Sequence, residues 1–414
     1  MSNPAPLNRR LHADRLRIKP QSWMKQRATR AVLRALKGEA RFVGGCVRDT
    51  LLKRPIGDID LATPLFPDEV MRRLAAAHIR AVPTGLAHGT VTAVTEGRSF
   101  EITTLRRDVE TFGRHANVAF TSDWAEDSRR RDFTMNALYL SADGDVFDYQ
   151  NGLKDLRRGK VRFVGDPATR IREDVLRVLR FYRFHAWLGR GAADAAARAA
   201  CRGSAPLVGT LSGERVQAEM MKLLRAPDPV PTLALMIEDG VLGKILPATR
   251  PLDALRRLVR IERALKLEPD ALRRLGALIA DDSGGVARRL RFSNADRERL
   301  ITLGGPLDLA RDAPAQRRYL YRLGRATYVD RVLLTAAVSG ATRRAKPLLA
   351  AAARWRKVAF PLSGGDITAL GAAPGPEIGR LLAELETWWE AGDFKASRRA
   401  CLAELRRRLQ AATA

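Results

Sequence analysis

Cysteine and histidine are scarce in this chain of 414 residues. Cys46, Cys201 and Cys401 form no C-x-x-C pair and no disulfide framework, which fits a reducing cytoplasm. The five histidines, His12, His78, His88, His115 and His185, include no His-Asp dipeptide and no H-E-x-x-H, so a histidine-ligated phosphohydrolase site is not expected. A Walker A sequence and a Rossmann G-x-G-x-x-G are absent as well. No apolar run reaches the roughly 18–20 residues that cross a bilayer, and no secretory core follows the start, so no membrane partner is expected. Acidic residues are in deficit, 46 against 73 Lys and Arg, for a formal net charge of +27. Such a field attracts polyanions and makes nucleic acid the leading partner. A GC-rich genome that favours Arg over Lys is the alternative source of the excess. The length allows two to four domains.

What is present is concentrated in Arg41–Thr63, RFVGGCVRDTLLKRPIGDIDLAT, which reads as strand, glycine turn, helix and second strand. Side chains two apart on a strand share a face, so Asp58 and Asp60 point together while Ile59 and Leu61 point inward. Paired carboxylates suit Mg²⁺, which is usually held by one or two carboxylates plus substrate phosphates. Gly44-Gly45 stands before a helix beginning near Val47, where backbone amides and the helix N-terminus receive a triphosphate.

In chain order, Trp23 to Leu36 and Pro67 to Ile79 have helical spacing. Thr90–Thr95 and Phe100–Leu105 form a hairpin, and if its second strand pairs beside the aspartates, Glu101 becomes a third carboxylate facing the metals. Arg106–Asp127 reads as a long loop. Arg129, Arg130 and Arg131 suit a phosphate clamp. DPATRIREDVLRVLRFYRFHAWL reads as one helix whose polar stripe holds Glu173, Asp174, Arg177 and Arg180. A surface Asp–Arg pair is the plain alternative. The remainder is helical, with a turn-rich stretch from Pro361 and a helix starting near Glu377, which reads equally as an RNA-backbone contact or a plain interhelical turn.

The ordered set RFVGGCVRDTLL…GDIDLAT, HGTVTAV…FEITTLRRD, RRDFTMNALY, DPATRIREDVLRVLRFYRF and LSGERVQAEMMKLL resembles the class II tRNA nucleotidyltransferase and poly(A) polymerase family, over roughly Trp23 to Leu246. More loosely, GAAPGPEIGRLL is similar to its tRNA-binding tail. The resemblance implies an α+β protein. A mixed-sheet head like the DNA polymerase β palm, five-stranded in the family, precedes an all-helical neck, body and tail. The divisions expected are a basic N-terminal tail 1–20, head 21–150, neck 151–225, body 226–345 and tail 346–414. Asp58 and Asp60 would bind catalytic Mg²⁺, with Glu101 as the third catalytic carboxylate. Gly44, Gly45, Arg48, Arg131, Asp132 and Asn136 would hold the incoming nucleotide. Asp174, Arg177, Arg180 and Arg183 would select its base. The implied reaction is addition of C, C and A to the tRNA 3′ end from CTP and ATP, releasing pyrophosphate, in the cytoplasm and with no obligate protein partner. A poly(A) polymerase, an A-adding or CC-adding variant, and a non-catalytic RNA-binding protein remain alternatives. One departure is that ETFGRHANVAF has no acidic residue beyond Glu110 where the resemblance implies one near Phe112, in the loop that it ties to the switch from C to A addition.

Overall fold

The computed structural model describes residues 16–112, 115–305, 307–371 and 375–413, and the chain divides into two compact units, Met1–Pro247 and Ala248–Ala414. Every strand lies in the first unit. Strands β1 (Arg41–Val43), β2 (Ile59–Thr63), β3 (Arg80–Gly85), β4 (Thr90–Thr95), β5 (Arg98–Thr104), β8 (Leu138–Leu140) and β9 (Val146–Asp148) build one mixed sheet, in the order β3-β4-β5-β2-β1-β8-β9. Seven strands thus stand where the resemblance implied five. Only β2 and β5 run parallel. The turn between β4 and β5 is Glu96-Gly97, both at positive φ (51° and 70°), the backbone that a two-residue hairpin matching strand twist requires. Ile59 and Leu61 are buried, and Asp60 between them is half-exposed, as the alternation predicts.

Three readings of local structure are corrected. Trp23–Leu36 is not one helix, because Gln26 is extended (ψ 146°) and divides a 3-10 turn, Trp23–Lys25, from helix α1 (Arg27–Ala35). Arg106–Asp127 is not a loop: β6 (Arg106–Phe112) and β7 (His115–Phe120) pair antiparallel as a separate ribbon. Helix α4 (Trp124–Arg129) follows, capped by Asp123 accepting from the Ala125 amide at 2.8 Å. The ribbon is a sheet of its own with a register shift between Asp108 and Glu110, which interrupts the strict alternation that marks a strand in the sequence. Pro167–Leu188 is two helices, α6 (Pro167–Glu173) and α7 (Leu176–Leu188), parted where Asp174 is extended (φ −154°, ψ 107°).

The other helices of the first unit are α2 (Gly45–Leu51), α3 (Pro67–Ala76), α5 (Gly152–Arg158), α8 (Ala195–Gly203) and α9 (Gly213–Leu224), followed by Val230–Glu238 and Leu242–Ile245. Pro67 occupies the first turn of α3 with Asp68 and Glu69, which complement the helix dipole. Buried Phe133, Phe163, Phe181 and Phe184 join α7 to the segment after α4, with Phe133 and Phe184 rings 5.3 Å apart.

The second unit is helical throughout the described residues. Buried Glu262 accepts from Arg273 and Arg274, and Arg273 also reaches Asp330 at 2.8 Å. Toward its end, Leu362, Ile367, Leu385, Trp389, Cys401 and Leu405 form an apolar cluster. The helix Pro376–Ala391 starts with proline in its first turn. No described helix is long and apolar enough to cross a membrane.

Candidate active site

A cavity of about 560 Å³ in the first unit is lined by Gly44, Gly45, Arg48, Asp60, Arg131, Asp132, Asn136, Asp174, Arg177 and Arg180. Ten residues expected to serve a nucleotide or a metal therefore face one space, although they come from four segments separated by up to 136 positions. Arg130, expected in the phosphate clamp, lines it too, as do Leu176, Phe184 and Arg215, which were not anticipated.

Gly44 has φ 74° and ψ −125°, a backbone that side-chain-bearing residues avoid. That turn lets α2 start at Gly45 without a side-chain cap. Arg48, one turn into α2, donates to Asn136 Oδ1 at 2.7 Å and to both oxygens of Asp49, at 3.0 and 2.7 Å. Its guanidinium also lies 5.1 Å from the Phe184 ring centroid.

Of the three arginines, Arg130 and Arg131 line the cavity and Arg129 does not. Both are held by Asp127, whose carboxylate accepts from Arg130 at 2.8 Å, Arg131 at 3.0 Å and the Tyr139 hydroxyl at 2.6 Å. Burial pushes the Asp127 carboxyl up, but Arg131 and Arg130 with the Tyr139 hydroxyl outweigh it and hold it at about 2. Asp132 is anchored in the same way. Burial opposes its charge, while Arg180 (2.8 Å), Asn136 (3.0 Å) and the Phe133 amide bring it to about 2.

The base-selecting set separates. Asp174 does not pair with Arg177 or Arg180: both its oxygens accept from Arg215 Nη2, at 3.0 and 2.7 Å, and Oδ1 also accepts the Leu176 amide at 3.1 Å, starting α7. Arg177 donates through Nη1 to the Arg170 carbonyl at 2.7 Å and to Glu173. Arg180 holds Asp132 rather than Asp174. Arg183 does not line the cavity; it pairs with Glu219, and its guanidinium lies 3.9 Å over Phe184.

Residues Asp60 and Glu101 are register partners on the parallel strands β2 and β5, the pairing on which a third carboxylate depended. Asp58 lies just before β2 and, like Glu101, is exposed. The Asp60 carboxyl is raised to about 6, first by burial and then by the charges of Glu101 and Asp58, against the opposing pull of Arg131. Clustered like charges of hard oxygen are the donor chemistry that a divalent cation relieves. Among the described residues no three His, Cys, Asp or Glu are drawn together tightly enough to hold an ion. The donors fit a cation whose coordination is completed by substrate phosphate, the usual habit of Mg²⁺.

Arg215 escaped the sequence reading because its link to Asp174 spans 41 positions. Helical periodicity marks α9 as amphipathic but carries no sign of which arginine turns toward α7. Residues 113 and 114 and the side chains of 108–118, the segment of the missing acidic residue, lie outside the described residues.

A family model described as the poly A polymerase head domain matches residues 40–162, and a second, described as a probable RNA and SrmB-binding site of polymerase A, matches 194–252. The chain is 34% identical over 383 residues to the mitochondrial CCA tRNA nucleotidyltransferase 1 of Danio rerio, covering 89% of this chain and 87% of that protein. It is 32% identical to the CCA-adding enzyme of Levilactobacillus brevis, over 84% and 88% of the two chains. Among solved structures, the Bacillus stearothermophilus CCA-adding enzyme in complex with CTP superposes with a TM-score of 0.75 at 29% identity, covering 92% of this chain and 97% of that one. The Thermotoga maritima CCA-adding enzyme complexed with tRNA shares the fold, with a TM-score of 0.61 at 20% identity.

Proposed function

The chain belongs to the CCA tRNA nucleotidyltransferase family of the poly(A) polymerase head type, and from that premise we propose that it adds C, C and A to tRNA 3′ ends from CTP and ATP without a nucleic-acid template. The observation that carries the proposal is the single cavity in which a glycine turn, six arginines and Asp60 face the same space as Asp174.

Arg48, Arg130 and Arg131 receive the triphosphate, their forks held by Asn136, Asp49 and Asp127 so that little orientational freedom is lost on binding. Gly45 supplies backbone close to the phosphates. Asp58 and Asp60, with Glu101 beside them, hold Mg²⁺. When bound, Mg²⁺ lowers the pKa of the attacking 3′-hydroxyl and neutralises charge on the phosphate oxygens during displacement of pyrophosphate.

Base choice follows from lone pairs. Arg215 and the Leu176 amide occupy Asp174 Oδ1, whereas Oδ2 accepts only from Arg215, which leaves it a site for an exocyclic amino group. Among the described contacts of Arg177 only Nη1 is engaged, so Nη2 and Nε face the ring acceptors. Cytosine and adenine satisfy both groups. Uracil presents a carbonyl where the amino group belongs, and guanine a donor at N1.

The three buried, free cysteines support a reducing compartment, the cytoplasm. The test of activity is to supply tRNA ending at its discriminator base with CTP, ATP and Mg²⁺, then sequence the ends. CCA termini are expected; a run of A, or no extension, would contradict the proposal.

A further inference from the structure

Phe184 and Arg48 line both the nucleotide cavity and a neighbouring groove of about 530 Å³. The Phe184 ring is buried, and it meets three cations. The guanidinium carbons of Arg183, Arg48 and Arg180 lie 3.9, 5.1 and 5.5 Å from its centroid. All three fall inside the ~6 Å within which a cation is drawn to the negative face of an aromatic ring. Arg180 and Arg183 share α7 with Phe184, whereas Arg48 reaches the ring from α2. Phe133 packs against the ring as well, with centroids 5.3 Å apart and planes at 72°, so the ring has little room to turn.

Each guanidinium also has an anionic holder: Arg180 has Asp132, Arg183 has Glu219 and Arg48 has Asp49. Those pairs neutralise the charges but do not decide how three like groups share the space between α2 and α7. Their mutual repulsion is felt, because Arg183 is held below its ordinary pKa by burial and by Arg180, against the pull of Glu219. An aliphatic side chain at 184 would fill the same volume without attracting any of them. Arg48 depends on the ring most. Asp49 stands next to it on α2 and moves with that helix, so among its described contacts Asn136 and Phe184 are the ones that tie its guanidinium to the rest of the site.

We propose that Phe184 is a positioning residue for the reaction, its ring face holding the Arg48 guanidinium toward the triphosphate and apart from Arg180 and Arg183. The assignment of Arg48 to the triphosphate rests on the function proposed above; the attraction between ring and guanidinium does not.

The test replaces Phe184 in the full chain by mono-, di- and trifluorophenylalanine. Fluorine withdraws charge from the ring face step by step and alters the shape of the side chain little, so a residue that only fills space should be indifferent to the series. With Mg²⁺ present and no tRNA, the Kd for CTP and for ATP, read by equilibrium dialysis, should rise with each fluorine. The rise should reach roughly threefold to thirtyfold at the trifluoro ring, the span over which cation–π contacts act. In Arg48→Gln the same series should leave both Kd values flat, because the group through which the ring acts is gone. Affinity for tRNA lacking CCA should not change in either series.

Nucleotide affinity that ignores fluorination while Arg48 is present would overturn the proposal. A slope that survives Arg48→Gln would overturn it too, since the ring would then touch the nucleotide itself or act through another cation. Equal weakening of tRNA binding would place the effect in the fold and overturn it as well. Wild-type protein that binds both nucleotides but adds nothing to tRNA would remove the proposed function and leave the fluorine series to decide the role of the ring; binding of neither nucleotide would remove both.

Discussion

Asp127 does not line the nucleotide cavity, yet its carboxylate aims two arginines into it while also accepting from Tyr139 and the Arg106 amide. Removing the charge leaves two guanidinium groups half-buried without their partner, which typically costs about 3–5 kcal/mol. Asp127→Asn should therefore lower stability by that order and raise the KM for CTP and ATP together, as urea titration and initial rates would record. The Asp127 carboxyl is held at about 2 in the fold, below its ordinary value. Its contribution is present in full above the unfolded carboxyl pKa of about 4 and is lost as pH falls toward 2. Wild-type stability should accordingly drop across that window, with a shallower drop in Asp127→Asn. At this scale the sequence was legible where a residue carries its chemistry alone: Asp60, Arg48, Arg131, Asp174 and Arg177 were all legible as lining candidates. It was silent on partners. Nothing in its spacing ties Arg215 to Asp174, or separates Arg183, which turns to Glu219, from Arg180, which turns to Asp132.

Two elements decide the shape of the site. The first is the turn at Gly44, where an added Cβ would come no closer than 4.0 Å to Arg131 or Asn136. The cost of Gly44→Ala is thus backbone strain at φ 74°, about 1–3 kcal/mol, rather than collision. That variant should raise the KM for both nucleotides while tRNA affinity, measured by filter binding, stays the same. An equal rise in the tRNA Kd would show a wider disruption. The second is the break between α6 and α7. Apolar spacing runs on unbroken from Ile171 to Leu188, so periodicity alone yields one helix. What interrupts it is local: Asp174 bonds the Leu176 amide and takes the extended backbone of a helix-starting residue. The β6–β7 ribbon was illegible for the opposite reason, a register shift between Asp108 and Glu110 that interrupts strand alternation.

Across the whole molecule the excess of basic charge is distributed over both units, and much of it is internally matched. Arg380, on the helix whose start the sequence offered as an RNA contact, is shared between Glu377 and Glu384. Exposed Arg399 and Arg406 have no described ion-pair partner and are better candidates. Reversing both to Glu should weaken tRNA binding and flatten its salt dependence, without changing the single-turnover rate at saturating tRNA. Unchanged affinity across a salt series would move the RNA surface off the helix Arg398–Thr413 that carries them. Charge and element class were readable from composition and period. Which charges remain free for RNA depends on pairs formed across turns and between helices, and those appear only in the fold.

The most direct measurement of the central claim, that one protein cavity chooses the base, is kcat/KM for CTP, ATP, UTP and GTP with wild-type protein, Asp174→Ala, Arg177→Ala and Arg215→Ala. Loss of a buried hydrogen-bond partner costs about 1–3 kcal/mol, so selectivity for C and A should fall roughly tenfold to a few hundredfold in the first two variants. It should fall less in Arg215→Ala, which frees the Asp174 carboxylate without removing it. Wild-type selectivity in both Asp174→Ala and Arg177→Ala would contradict the claim.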